Sequence, residues 1–318
     1  MATASALTNT FSAPGVLMKE NFPDVLDTHF EFVKRRKWQE PIQGLKYWQV
    51  RTSDKATIRH SYIVGGGLVQ KNRDTDNLPI DHIVQGFDNS YTPEVYRLAM
   101  RIERRLRETD QYDVIDRKMA DLMQSGRDTI ELYAALPFNS AFAASVKWVC
   151  ADGMNLCDTS RPYERADSGS SWDNEDTGAT LSQGSISTMR LNMRKHTAPN
   201  GRRRPLRMKK VVIPPDLEDT AIEELKSVQK PGVSTNETNF LTRYGLSYEV
   251  WEYLTSTTAY FGMTDKDDNY ELYWYWGAKP QVEPYTVSNP DVYSRRLRMV
   301  FVTGADRPAS LRGNDGTP

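Results

Sequence analysis

The chain has 318 residues, enough for one large domain or two closely joined ones with a real core. Its 41 basic and 42 acidic residues nearly cancel, so no global field draws it to nucleic acid or to a membrane surface. A hydrophobic fraction of 38% and a mean hydropathy of -0.64 are low for this length, and point to apolar surface organised in extended pieces and between subunits.

The first 20 residues or so, MATASALTNTFSAPGVL onward, are small, polar and aperiodic, and read as an arm tied down by a neighbouring subunit. They lack the basic and apolar regions of a signal peptide. From Asn21 to Gln39, Phe22, Val25, Leu26, His29, Phe30 and Val33 recur at spacings of three and four, which predicts a short amphipathic helix. The stretch WQVRTSDKATIRHSYIV then alternates in the manner of a strand, with Ile58, His60, Tyr62 and Val64 on one face. Three glycines, 65–67, and the polar run QKNRDTDN follow. Residues 46–87 are thus a long hairpin-like excursion with little apolar content to pack on a core of its own.

Thr92-Pro93 has the form of a helix start, with Val95, Leu98, Ile102 and Leu106 as its stripe. After a break near Thr109-Asp110, Ile115, Met119, Leu122, Ile130 and Tyr133 predict a second helical stretch as far as Pro137. Strands are expected at MKKVVIP and RRLRMVFVTG, and helices around 180–194 and 215–229. The run YELYWYWGAKP, 270–280, reads as a strand buried on both faces. Without regular strand–helix alternation or internal repeats, the class is α+β. Cys150 and Cys157 have no histidines at zinc spacing and read as buried free thiols of a reducing compartment. No run approaches the roughly 20 apolar residues that span a bilayer.

The densest candidate for chemistry is SWDNEDTGATLSQGSIS, where Asp173, Asn174, Glu175 and Asp176 run into Thr177 and Gly178. A calcium loop starting at Asp173 needs Asp or Asn at its fifth position and Glu at its twelfth, but Thr177 and Gly184 stand there. No Gly-Lys-Ser/Thr follows, so it is no phosphate loop. Thr180 and Gln183 have capping-box spacing, and Ile186, Met189 and Met193 form a stripe behind them, so the segment reads as a helix start. Eight lysines and arginines crowd residues 194–210 without interleaved aromatics. That pattern fits an exposed loop, or one pairing with acids on an adjacent copy, better than a nucleic-acid reader. The four histidines are scattered, and no G-x-S-x-G, H-E-x-x-H or G-x-G-x-x-G occurs. The expectation is no enzyme, with no catalytic, cofactor-binding or metal-ligating residue to name and no cofactor.

The order of these pieces resembles the major capsid proteins of tailed bacteriophages with the Hong Kong 97-like fold, in particular the Mu-like head subunit group. The resemblance lies in ADGMNLCDTSRP (151–162), DTGATLSQGSISTMRLNMR (176–194), RMKKVVIPPDLEDTAIEEL (207–225), KPGVSTNETNF (230–240) with Trp251 and Tyr253, and RLRMVFVTGADRP (296–308). Arg161 stands where that group often has histidine, and residues 199–210 are richer in arginine than the group. The resemblance implies an N-terminal arm with a short helix over 1–45 and an E-loop over 46–88. It also implies a peripheral domain over 89–179 with a spine helix within 111–136, an axial domain over 180–270, and a return to the peripheral domain with a C-terminal tail over 271–318. It further implies pentamers and hexamers of an icosahedral virion shell, made in the host cytoplasm and enclosing double-stranded DNA without sequence readout. Portal, scaffold and decoration proteins would be partners; no membrane would. Since the sequence begins at Met1, a separate scaffold is expected rather than a removed segment. Lys55 and Lys71 fall in the implied E-loop, but exposed-loop lysines are common and covalent cross-linking is not expected. Three alternatives stand beside this reading: an encapsulin-like nanocompartment shell, a metal-dependent nucleic-acid-processing enzyme using residues 173–176, and a monomeric binding module.

Overall fold

A computed structural model of the chain describes residues 41–103 apart from 65, 70, 73–76, 79 and 81–83, together with 112–143, 150–163, 171–198, 200–230, 237–265, 271–285 and 292–317. The expected arm and the helix over 21–39 lie outside these residues. In chain order the strands and helices are β1 (Gln49–Thr52), β2 (Ile58–Val64), β3 (Val84–Tyr91), β4 (Glu94–Glu103), α1 (Tyr112–Asn139), β5 (Arg161–Pro162), β6 (Ser171–Trp172) and β7 (Glu175–Asp176). They continue with α2 (Gln183–Lys195), β8 (Met208–Ile213), α3 (Glu218–Lys226), β9 (Ser247–Val250), β10 (Tyr260–Thr264), β11 (Leu272–Pro284), β12 (Val292–Ala305) and β13 (Leu311–Asn314).

Two sheets carry the molecule. One has the order β1-β11-β12-β4, the other β7-β13-β10-β8-β9. The aromatic run forms β11 as its alternation required. Leu272, Trp274 and Trp276 are buried on one face, and Tyr275 is buried on the other. Trp274 stacks on Phe301 of β12 at 4.5 Å between centroids. The helix α1 lies on this sheet by halves. Ile115, Met119, Leu122 and Met123 pack with Ile102 and Leu297, while Ile130, Ala134, Ala135 and Phe138 enter the main core with the tryptophans. Val212, Phe261 and Leu311 of the second sheet join that same core, so both sheets share it. At its edge, Glu131 of α1 accepts hydrogen bonds from the backbone N–H groups of Gln43 and Gly44, at 2.5 and 2.7 Å. A side chain at Gly44 would meet Ala134 Cβ at 2.6 Å, and hence a glycine stands there.

Three expectations need correction. Residues 94–103 form a strand and no helix: β4 pairs with β12 antiparallel over ten residues, from Val292↔Glu103 to Phe301↔Glu94. Val95 and Leu98, two members of the supposed stripe, are each 49% exposed. Val, Tyr, Leu and Ile suit either structure, and an adjacent strand in need of an edge partner decided the matter. The helix begins only at Tyr112, after the residues read as a break.

The cap of α2 is the second correction. Ser182, not Thr180, is its N-cap, in a box with Ser185, although Ile186, Met189 and Met193 are buried as their spacing required. Third, the segment LRGN, within what the resemblance implied to be the C-terminal tail, is no tail. It is β13, fully buried, hydrogen-bonded to β10 on one side and β7 on the other. Both cysteines are buried and free; burial pushes the Cys150 thiol up to about 11, and the Cys157 thiol higher still.

Candidate assembly surfaces and the acidic segment

The acidic segment is held from behind by β13. Arg312, 4% exposed, projects between Asp173 and Asp176. Its Nε donates to Asp176 Oδ2 at 2.8 Å and its Nη2 to Asp176 Oδ1 at 2.7 Å. The same guanidinium donates to Asp173 Oδ2, and to the Asp173 carbonyl at 3.0 Å. Asn174, 2% exposed, sends its Nδ2 to the Leu156 carbonyl at 2.8 Å and more distantly to those of Pro308 and Leu311. Its Oδ1 accepts from the Asp158 N–H at 2.9 Å. Arg161, wholly buried, forks onto both oxygens of Asp152 at 2.9 Å.

Residues 150–162, 173–176 and 308–314 are thereby tied into one knot. A metal would need these carboxylates free, yet an arginine already neutralises two of them. Among the described residues no group of three or more His, Cys, Asp or Glu side chains is placed to hold a metal. Glu175 is the exception inside the segment. Burial, with Asp158, Asp315 and Asp176 nearby, pushes its carboxyl up to about 7.

The second feature is the hairpin β2–β3. Its strands pair antiparallel from Ile58↔Tyr91 to Val64↔Val84, with Ile58, His60, Tyr62 and Val64 turned inward and Ile63 exposed. At its far end Leu68, Val69, Leu78 and Ile80 are between 71% and 101% exposed. Its base is anchored by a polar cluster on the first sheet. His60 Nδ1 lies 2.6 Å from Asp306 Oδ2, and its Nε2 lies 2.7 Å from the Tyr275 hydroxyl. Tyr91 donates to the other Asp306 oxygen, and Asn89 Nδ2 donates to the Tyr91 hydroxyl at 2.8 Å. Burial and the Asp306 carboxylate drive the Tyr91 pKa far upward, so this hydroxyl stays a donor. Gly304 makes the docking possible: a Cβ there would lie 2.0 Å from the Tyr91 ring. Between hairpin and sheet lies a cavity of about 470 Å³, lined by Arg51, Arg59, His60, Trp172, Tyr273 and Arg307 among others.

The basic cluster 194–210 forms the turn after α2. His196 caps that helix and is half-buried beside Arg307, Nη2 to Nε2 3.4 Å, and Trp172. Burial first, then Arg307, Arg204 and Arg312, hold its imidazole neutral with a pKa of about 3. Arg204 reaches Glu271 at 3.5 Å, whereas Arg202, Arg203 and Arg207 are exposed. None of Asp306, Arg312 and Asn314 was singled out by sequence reasoning. The side-chain partners of Asp306 and Arg312 lie 136 to 246 residues away, and no local pattern marks them.

No helix among the described residues is long and apolar enough to cross a membrane. A family model described as phage capsid protein matches residues 88–313. No curated protein sequence matches the chain. Among solved structures, the capsid of the cyanophage P-SCSP1u is similar at 9% identity, over 86% of this chain and 88% of that one, with a TM-score of 0.58. The procapsid of bacteriophage JBD30 is similar at 12% identity, over 93% and 75%, with a TM-score of 0.50. The holo-SrpI encapsulin complex from Synechococcus elongatus is similar at 9% identity, over 88% and 87%, with a TM-score of 0.52.

Proposed function

The chain belongs to the phage capsid protein family and is a major capsid protein of the Hong Kong 97-like α+β fold; from that premise we propose that its copies join as pentamers and hexamers of an icosahedral shell around double-stranded DNA. The observation that carries this reading is the hairpin β2–β3. Ile63, Leu68, Val69, Leu78 and Ile80 stand exposed along it. Each such side chain gains about 1.5–3 kcal/mol when covered. A neighbouring copy can cover them, and the closure of a symmetric shell sums many such weak contacts.

In this reading the hairpin is the E-loop and α1 the spine helix of a peripheral domain, and the second sheet with α2 and α3 is the axial domain. The strand β13 then returns the chain into that axial sheet. The role is structural, with residues 173–176 as internal ties. The chain would be made in the host cytoplasm and end in the virion, with portal, scaffold and decoration proteins as partners.

The reading is tested by electron microscopy and sedimentation of the purified chain. Closed shells are expected, and a species of 36.4 kDa alone under every assembly condition refutes it. The encapsulin-like alternative has the similarity to the SrpI complex in its favour. Shells holding an enzyme cargo in place of DNA would establish it.

A further inference from the structure

The face of the first sheet turned away from α1 is built in rows across β4, β12 and β11. Leu98 and Leu297 are partners on the covered side, where Leu297 is buried with Ile115 and Met119 of α1. Successive side chains of a strand alternate, so Arg97 and Arg298 stand on the opposite side. These two arginines are direct partners in the ladder, and Gln281 of β11 continues their row. Other arginines of this face are answered. One row on, Arg296 donates to Glu283 at 2.8 Å, and toward the end of β4 Arg101 donates to the Tyr285 hydroxyl at 2.7 Å. Arg97 and Arg298 differ: neither guanidinium enters a hydrogen bond or an ion pair among the described residues.

We propose that the Arg97–Arg298 pair receives a carboxylate-bearing side chain from a second copy of this chain. The contact presupposes the shell reading above and is one of those that would hold the shell together.

Side chains directly opposite in an antiparallel pair have Cβ atoms about 5 Å apart, and like charges so placed destabilise a sheet. One carboxylate resolves the repulsion, because its two oxygens accept from both guanidinium groups. Beside the row on β4 lie Val95, 49% exposed, and the exposed Ala99. Arginine next to exposed apolar side chains is the composition of a protein interface. Double-stranded DNA is the rival occupant, and it engages a broad basic surface. Here the basic strip is a single row deep, because the next row carries a carboxylate of its own in the Arg296–Glu283 pair.

A second copy supplies the complement. Membership of a capsid family brings copies together. Asp54, Asp121 and Glu223 lie on three separate segments, are exposed, and enter no ion pair among the described residues, so none of them answers the arginines within one chain.

The test uses the full chain. In Arg97→Gln/Arg298→Gln the thermal midpoint of the unassembled chain should rise by about 1 °C at low salt, as the repulsion is removed. The critical concentration for shell assembly should rise about tenfold or more in the same variant. A merely structural role for the pair predicts a lower midpoint instead. Cross-linking then finds the partner. Shells assembled from an equal mixture of isotope-labelled and unlabelled Arg97→Lys/Arg298→Lys chains are treated with a carbodiimide, which joins an amine to a carboxylate in contact with it. Mass spectrometry should show position 97 or 298 of one copy joined to an aspartate or glutamate of the other.

Unchanged assembly of the glutamine variant overturns the proposal. If that variant also retains less DNA, the row belongs to the duplex. A lowered midpoint of its unassembled chain, or cross-links confined within single copies, overturns the proposal as well. Failure of the wild-type chain to form any shell removes the shell reading and this contact with it, whereas shells formed equally by wild type and variant remove the contact alone.

Discussion

Replacing Arg312 with methionine removes the charge at the centre of the knot between β13 and the acidic segment, while keeping most of the side-chain volume. The wild-type guanidinium makes two bonds of 2.7 and 2.8 Å to Asp176 and further bonds to Asp173. Asp173 has a half-exposed side chain, so its share falls in the range of about 0–1 kcal/mol typical of surface pairs. Asp176, with 16% side-chain exposure, is left as a largely buried and unneutralised charge. Breaking such a pair from one side costs about 3–5 kcal/mol. Because Asn192 still donates to Asp176, the lower end of that range, about 3 kcal/mol, is expected.

For 318 residues with about 2.1 cal/mol/K of unfolding entropy each, that loss lowers the melting temperature by about 4–5 °C. Calorimetry of the unassembled chain measures it. Adding Asp176→Asn to Arg312→Met should recover part of the loss, because the stranded charge is gone; a coupling of about 1–3 kcal/mol is expected. A change below about 0.5 kcal/mol in the single variant, or strictly additive effects in the pair, would show that the acidic segment is not held by Arg312.

The neutral, half-buried His196 makes the protein sensitive to acid. Its folded pKa of about 3 lies below the unfolded value of 6.5, so its contribution is full above pH 6.5 and is lost as pH falls toward 3. At pH 5 the loss is about 2 kcal/mol, which urea titrations of wild type and His196→Asn should show as a steeper acid decline in wild type only. Glu175 acts in the opposite sense: its pKa is raised from 4.5 to about 7, so the unassembled chain loses stability as pH rises through that window. Its side chain is partly open to solvent and screening limits the effect to about 1 kcal/mol, which Glu175→Gln should abolish. Gly304→Ala drives a methyl group into the Tyr91 ring and should loosen the base of the hairpin. About 1–3 kcal/mol of overpacking is expected, together with faster amide exchange across residues 58–64 than across β11; unchanged exchange in both strands would mean that the hairpin is held elsewhere.

Much of the molecule is legible in its residues because local chemistry settles it. The alternation at Ile58, His60, Tyr62 and Val64 puts one face of β2 inward whatever it packs against. The stripe of Ile186, Met189 and Met193 needs burial along one side of a helix, and YELYWYWG could only be a strand covered on both faces. Only tertiary structure decided the rest. Residues 94–103 have apolar spacings that fit a helix, and they became a strand because β12 offers ten residues of backbone to pair with. The sequence near its end reads as a polar tail, yet Arg312 and Asn314 find partners more than 130 residues away and the tail becomes an inner strand. The exposed hairpin acquires meaning only from a further level, the self-assembly of copies that membership of a capsid family implies. The physical reason is the same at each step. Periodicity reports which face of a segment must leave water, but not which surface will receive it; that depends on hydrogen-bond edges and charges brought together from distant parts of the chain.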